Sequence, residues 1–237
     1  MKILGIIPAR FGSLRFPGKP LVNIEGKTMI QRVYEQSCLA KELDKVIVAT
    51  DCLYIYRYIK NIRGIALLTN SKHLNGTSRC AEAFNLLNES YEYIINIQGD
   101  EPFINPEQID EFASFLKQQK PEIATQIKKE FNLSLLDNLN IVKAIPTNET
   151  LAFTFTRKIN NNNLDYFYKH IGLYAFRNDI LEKIVQLSPS VNELNESLEQ
   201  LRWLDNGYKI SLQETTFQSK SIDTLEDLEE ITSNNLF

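Results

Sequence analysis

The stretch Ile3-Leu4-Gly5-Ile6-Ile7-Pro8-Ala9-Arg10-Phe11-Gly12-Ser13-Leu14-Arg15-Phe16-Pro17-Gly18-Lys19-Pro20 runs from a short apolar segment straight into a basic loop. Residues 2–7 read as a buried first strand, because Pro8 ends the apolar run far short of a signal or membrane segment. A loop leaving the C-terminal end of a first strand stands where open α/β sheets bind ligands. Its small residues let backbone N–H groups approach phosphate oxygens, and Arg10, Arg15 and Lys19 supply positive charge. It is not a P-loop. Five residues separate Gly12 from Gly18, and Pro20 follows Lys19 where Ser or Thr should stand. The pattern G-x-G-x-x-G is absent and Pro8 directly follows the strand, which argues against a Rossmann oxidoreductase. A solvated surface turn is the plain alternative, and the loop's position and composition disfavour it.

Further strands are expected at residues 45–50, 66–69 and 93–98. Residues 28–38 place Ile30, Val33, Tyr34 and Cys38 at helical spacing behind Thr28 as a cap. A second helix is expected at 78–88, and Asn105-Pro106-Glu107 opens a third. Strand–helix–strand order with short connections implies a mainly parallel sheet covered on both faces. The second half is less regular. Residues 142–145, 151–156 and 166–176 read as strands, 160–163 as a loop, 193–205 as a helix ending at Gly207, and 223–234 as the last helix. Met and aromatic side chains outside the motifs, Trp203 included, read as core.

The 237 residues carry 26 Lys and Arg against 30 Asp and Glu, a formal charge of −4, which leaves no footprint for a nucleic-acid backbone. A polyanionic small substrate is still compatible, since a few local cations can bind it. Cys38, Cys52 and Cys80 are odd in number and lie in no C-x-x-C spacing. That argues against a disulfide framework or zinc site and suits a reducing cytosol. No repeat and no Pro-, Gly- or Ser-rich linker divides the chain, so one domain with an inserted subdomain is expected.

Four further places in the chain carry polar residues beside predicted elements. Asp100, after a strand in Gln98-Gly99-Asp100-Glu101-Pro102, is placed to bind Mg²⁺, but Gly-Asp before Pro is also ordinary turn chemistry. The segment Asn75-Gly76-Thr77-Ser78-Arg79 lies between a strand and a helix and reads as a helix start capped by Thr77 or Ser78. His170, in an apolar strand pattern, reads as a packed, hydrogen-bonded core histidine sooner than as a catalyst, and no Ser/Asp arrangement supports a hydrolytic triad. Asp223, three residues before Glu226, has the placement of a helix cap. His73 receives no role.

The motifs form a series: Ile6-Ile7-Pro8-Ala9-Arg10-Phe11-Gly12-Ser13 with Arg15 and Pro17-Gly18-Lys19-Pro20-Leu21, Val48-Ala49-Thr50-Asp51, and Asn75-Gly76-Thr77 with Arg79. Then come Asn96-Ile97-Gln98-Gly99-Asp100-Glu101-Pro102, His170-Ile171-Gly172-Leu173-Tyr174, Leu198-Glu199-Gln200-Leu201-Arg202, and Ile222-Asp223-Thr224 with Glu226-Asp227-Leu228. In this order and spacing they resemble the CMP-KDO synthetases, the 3-deoxy-manno-octulosonate (KDO) cytidylyltransferases. The resemblance implies an α/β fold over residues 1–237, a single nucleotidyltransferase domain with a mainly parallel Rossmann-like sheet. Residues from 1 to about 120 would form the nucleotide-binding half. Residues from about 121 to 215 would bind sugar and dimerise, and 216–237 would carry a metal-ligand loop and the C-terminal helix.

The implied reaction activates a 2-keto-3-deoxy sugar acid (KDO) with CTP, giving the CMP-sugar and pyrophosphate for lipopolysaccharide synthesis. The implied cofactor is Mg²⁺ on Asp100 and Asp223, and the implied state is a cytoplasmic homodimer without membrane or nucleic-acid partners. By the same resemblance Arg10, Arg15 and Lys19 are catalytic. Pro8, Ala9, Gly12, Ser13, Asn75, Gly76, Arg79 and Gln98 join them around the nucleotide. Gln98, Arg157, His170, Tyr174, Glu199 and Gln200 face the sugar. The chain departs from the family at Leu14, Ser78 and Leu225, where Thr, an acidic residue and Pro are usual. Its segment between Arg157 and Tyr168 is short, with an Asn run. These departures bear on the sugar pocket and subunit contact. An 8-amino KDO analogue, a sialic-acid-type nonulosonate, or a silent nucleotide-sensing role stand as alternatives.

Overall fold

Residues Ile3–Ala9 form β1, buried along nearly its whole length. A strand covered on both faces needs no polar alternation, which is why its sequence is an unbroken apolar run. The computed structural model describes residues 1–12, 16–148, 150–159, 164–218 and 220–233. They divide into two compact units, residues 1–114 with 219–237 and residues 115–218.

The first unit follows β1 with a two-stranded hairpin, β2 (Asn23–Ile24) and β3 (Lys27–Thr28), then α1 (Met29–Cys38), β4 (Lys45–Thr50), α2 (Leu53–Asn61) and β5 (Ala66–Leu68). Next come α3 (Gly76–Leu87), β6 (Tyr93–Asn96) and α4 (Pro106–Gln119), which runs into the second unit, and α8 (Leu225–Ser233) returns at the end of the chain. Strands β5, β4, β1 and β6 lie side by side and all parallel. Thr28 caps α1 as expected, its Oγ1 accepting the Gln31 N–H at 3.3 Å. The start of α3 differs from expectation. Asn75, not Thr77 or Ser78, is the cap, its Oδ1 accepting the Ser78 N–H at 2.9 Å, while Thr77 is buried. The last helix is capped by Thr224, whose Oγ1 accepts the Asp227 N–H at 3.2 Å; Asp227 returns the favour to the Thr224 N–H at 2.9 Å. The Asp223 N–H also donates to Asp227 Oδ2, at 2.8 Å, so this reciprocal box engages the Asp223 backbone and not its side chain.

The second unit holds β7 (Ile123–Glu130), β8 (Lys143–Asn148), β9 (Leu151–Thr156), β10 (Phe167–Arg177), α5 (Asn178–Ile184), α6 (Val191–Glu196), α7 (Glu199–Asp205) and β11 (Ile210–Glu214). Here β11 runs parallel to β7, and the other pairings, β10 with β7 and β8, β9 with β8 and β11, are antiparallel. The expected helix over 193–205 is two helices, because Ser197 takes a left-handed conformation (φ 53°) that ends α6. Trp203 is core, but Phe153 is 68% exposed although Phe155, two residues on, is buried. The irregular register of β8 against β9 lies on that stretch. The Asn run at 160–163 lies outside the described residues.

Candidate functional site

A cleft of about 440 Å³ opens in the first unit where β1 and β6 end and α3 begins. That is the ligand edge of a parallel sheet, and the volume suits a small molecule. Two local features bring the chain there. Gly18 has φ 73° and donates its N–H to the Phe11 carbonyl at 3.1 Å, closing the loop so that Lys19 begins a 3₁₀ turn. A Cβ on Gly99 would stand 2.8 Å from the Pro8 carbonyl oxygen, so only glycine lets the segment after β6 lie against the end of β1.

Lys19 is the centre of the site. Its Nζ lies 2.8 Å from Asp100 Oδ2 and 3.2 Å from Asp223 Oδ1, with its side chain 13% exposed. The three residues come from separate parts of the chain, and the Ile222 N–H donating to the Asp100 carbonyl at 2.9 Å ties two of them together. Ile222 is itself buried with Phe16, Ile24, Met29 and Ile231, which anchors the Asp223 backbone in an apolar cluster. Two carboxylates converging on one cation form a donor set suited to a hard oxygen-seeking ion. Among the described residues no group of three or more His, Cys, Asp or Glu side chains could hold a metal. A metal on this pair would therefore complete its shell from phosphate and water, as Mg²⁺ does in nucleotide sites.

Of the residues singled out for nucleotide, Pro8, Ala9, Arg10, Lys19, Asn75, Gly76, Arg79 and Gln98 line the cleft together with Asp100 and Asp223. Gly12 is described but does not line it, and Ser13 and Arg15 lie outside the described residues. Arg79 has its guanidinium committed within the fold. It donates to Asp51 Oδ2 at 2.8 Å and Thr69 Oγ1 at 2.6 Å, and its side chain is only 3% exposed. Replacing Asp51 with Asn keeps the shape but removes the negative charge that faces the Arg79 guanidinium, so stability should fall by about 1–2 kcal/mol. A denaturant midpoint that does not move, at constant slope, would contradict this.

The remaining residues belong to the second unit. Arg157 donates from Nε to the Glu196 carbonyl at 2.9 Å and from Nη1 to the Leu139 carbonyl at 2.9 Å. His170 Nε2 is 3.0 Å from Thr125 Oγ1, and burial pushes its imidazole down to about 3, so it is neutral at physiological pH. Tyr174 packs on His170 and Trp203; burial first, then the Glu199 charge, pushes its phenol well up. Gln200 is buried, at the start of α7 beside Glu199. Sequence reasoning gave no place to Pro20, His73, Leu74 or Gly99, all of which line the cleft. For Gly99 and Pro20 the signal was their adjacency to Asp100 and Lys19.

Residues 4–210 match the family described as cytidylyltransferase. The chain is 46% identical over 244 residues to the 3-deoxy-manno-octulosonate cytidylyltransferase of Parabacteroides distasonis, covering 97% of this chain and 96% of that one. It is likewise 46% identical to the protein of the same name from Cytophaga hutchinsonii, covering 98% and 97%. A solved structure of CMP:2-keto-3-deoxy-manno-octonic acid synthetase complexed with CTP superposes with a TM-score of 0.93 at 32% identity, over 100% of this chain and 99% of that one.

Proposed function

The chain belongs to the cytidylyltransferase family, and from that premise we propose that it transfers CMP from CTP to 3-deoxy-manno-octulosonate, releasing pyrophosphate. The observation that carries this reading is the Lys19 ammonium set between Asp100 and Asp223 in a cleft at the sheet's ligand edge. The sugar's anomeric 2-hydroxyl attacks the α-phosphorus. An O–P bond to the sugar forms, the bond to pyrophosphate breaks, and the hydroxyl proton passes to solvent. Lys19 and Arg10 meet the β- and γ-phosphates and offset the charge growing on pyrophosphate, and Arg15 of the same loop is assigned to that task too. Pro8, Ala9, Asn75, Gly76 and Gln98 shape the cleft around the nucleotide, so positioning supplies much of the remaining rate enhancement.

Asp100 and Asp223 would hold Mg²⁺, which when bound screens the triphosphate from the sugar carboxylate and acidifies the attacking hydroxyl. The second unit is assigned the sugar acid, through Arg157, His170, Tyr174, Glu199 and Gln200, and the contact of a homodimer. A neutral His170 can donate or accept a hydrogen bond there. Among the described residues no helix is long and apolar enough to cross a membrane, and the three free cysteines support the assignment to the cytoplasm.

The test is a panel of 2-keto sugar acids, including 8-amino KDO and a nonulosonate, against CTP, UTP and ATP, following pyrophosphate. Release is expected only with Mg²⁺, CTP and a 2-keto-3-deoxy sugar acid together, and KDO should give the highest kcat/KM. Turnover with glucose 1-phosphate or mannose 1-phosphate instead would sink the assignment, since the nucleophile would then sit on a sugar phosphate. No release with any sugar acid would point to a silent nucleotide sensor.

A further inference from the structure

His73 and Leu74 line the cleft, yet the mechanism above gives them nothing to do. His73 Nε2 closely contacts Glu82 Oε2 on α3, and the same oxygen accepts the Asn70 backbone N–H at 2.8 Å. Three residues earlier on that helix, Arg79 Nη1 donates to Thr69 Oγ1 at 2.6 Å and to the Asn70 carbonyl at 3.4 Å. The Lys72 N–H closes on Asn70 Oδ1 at 2.9 Å, and Asn75 caps the helix at the far end of the loop. Residues 69–75 are thus fastened to one helix by two charged side chains a turn apart. On this fastened loop Leu74 is 89% exposed while also facing the cleft. A loop held this firmly has already lost its conformational freedom before a ligand arrives, and that lowers the cost of binding.

Burial raises the Glu82 carboxyl, but the hydrogen bonds from His73 and the Asn70 N–H outweigh it and leave it below the usual range. Glu82 is therefore ionised, and an ionised acceptor fixes the imidazole with Nε2–H toward it, leaving Nδ1 for another partner. The phosphate-seeking charges of the cleft, Arg10 and Lys19, belong to a different loop. An imidazole beside an exposed leucine offers one polar atom and an apolar surface, which suits a nucleoside better than a triphosphate.

We propose that His73 is a nucleoside-contacting residue of the cleft, with Leu74 as its apolar cover and Glu82 as the positioning residue that holds its ring. This rests on the cytidylyltransferase reading and extends it. The test is calorimetric titration of the full chain with CTP and with CMP, with ATP as the comparison. His73→Ala should weaken both nucleotides by the same factor, roughly tenfold, because both carry the same nucleoside. Glu82→Gln keeps the volume of the side chain and should weaken both by roughly threefold through the ring it no longer fixes. The double variant should bind no worse than His73→Ala, since a glutamine amide oxygen can still accept the Asn70 N–H and what Glu82→Gln loses is its hold on the His73 ring. The proposal is overturned by normal CMP binding in His73→Ala, by a loss confined to CTP, or by losses that multiply in the double variant. Should His73→Ala melt before it can be titrated, Glu82→Gln alone decides, and unchanged CMP affinity there overturns the positioning role. Wild type that does not prefer CTP to ATP overturns the cytidylyltransferase reading itself. Wild type that prefers CTP, beside a His73→Ala variant that binds it equally well, overturns only the part given to His73.

Discussion

Lys19→Met is expected to lower kcat/KM for CTP by a factor equivalent to roughly 2–5 kcal/mol of transition-state stabilisation. The range reflects how little water reaches the ammonium, which is 13% exposed and touches two carboxylates at 2.8 and 3.2 Å. A charge held this way is worth more to an incoming phosphate than one waving in solvent. Methionine keeps most of the stem and its packing, so the fold should survive. The substitution also removes the cation that Asp100 and Asp223 share, and their mutual repulsion then favours any other cation that can stand between them. Direct titration with Mn²⁺ in the absence of nucleotide should therefore show tighter binding in Lys19→Met than in wild type, while turnover with CTP collapses. The two effects have opposite signs, which separates loss of a functional charge from general damage. Unchanged kcat/KM would return residues 10–20 to the status of a surface turn.

Much of this site could be read from the chain because its parts are local. The apolar run of β1, the small and basic residues behind it, and the carboxylate two residues past Gln98 are contiguous signals, and a parallel sheet collects such loops at one edge. What stayed hidden depends on partners far away in sequence. Arg79 lines the cleft as expected, but the bond from its guanidinium to Asp51, 28 residues earlier, is one that no spacing rule reveals. His73 looked idle because its partner Glu82 is an unremarkable helix residue until the loop folds back on α3. Helix α2 was missed for a different reason. Leu53-Tyr54-Ile55-Tyr56-Arg57-Tyr58-Ile59 is rich in β-formers and alternates like a strand, yet the residues it buries are Ile55 and Ile59, one helical turn apart. The single helix expected over 193–205 failed on Ser197, since a serine in the left-handed region is set by tertiary context and not by propensity.

Asp223→Asn is expected to leave the melting temperature close to wild type and to lower kcat by roughly a hundredfold or more, about 2.7 kcal/mol or above. The sequence alone allowed Asp223 to be a helix cap, and a cap-only role predicts nearly normal activity, because asparagine caps about as well as aspartate. The structure gives that task to Thr224 and Asp227, so the Asp223 side chain is not needed to start α8. What it touches instead is Lys19, at 3.2 Å, and its own side chain is 37% exposed. An ion pair that open to water contributes little to stability, so losing its charge should hardly move the melting curve. The backbone position is held separately, by buried Ile222 and its hydrogen bond to the Asp100 carbonyl, and asparagine disturbs neither. The loss therefore falls on the site: one of the two carboxylates paired with Lys19 becomes neutral, and the pair that would hold Mg²⁺ keeps half its charge. Two readouts distinguish this from a fault in folding. Mn²⁺ binding to the nucleotide-free protein should weaken in Asp223→Asn, and raising Mg²⁺ should recover part of the lost kcat, whereas a damaged helix end would respond to neither. If Asp223→Asn turns over like wild type at limiting Mg²⁺, Asp223 does not hold the metal, and its pairing with Lys19 serves only to place that ammonium.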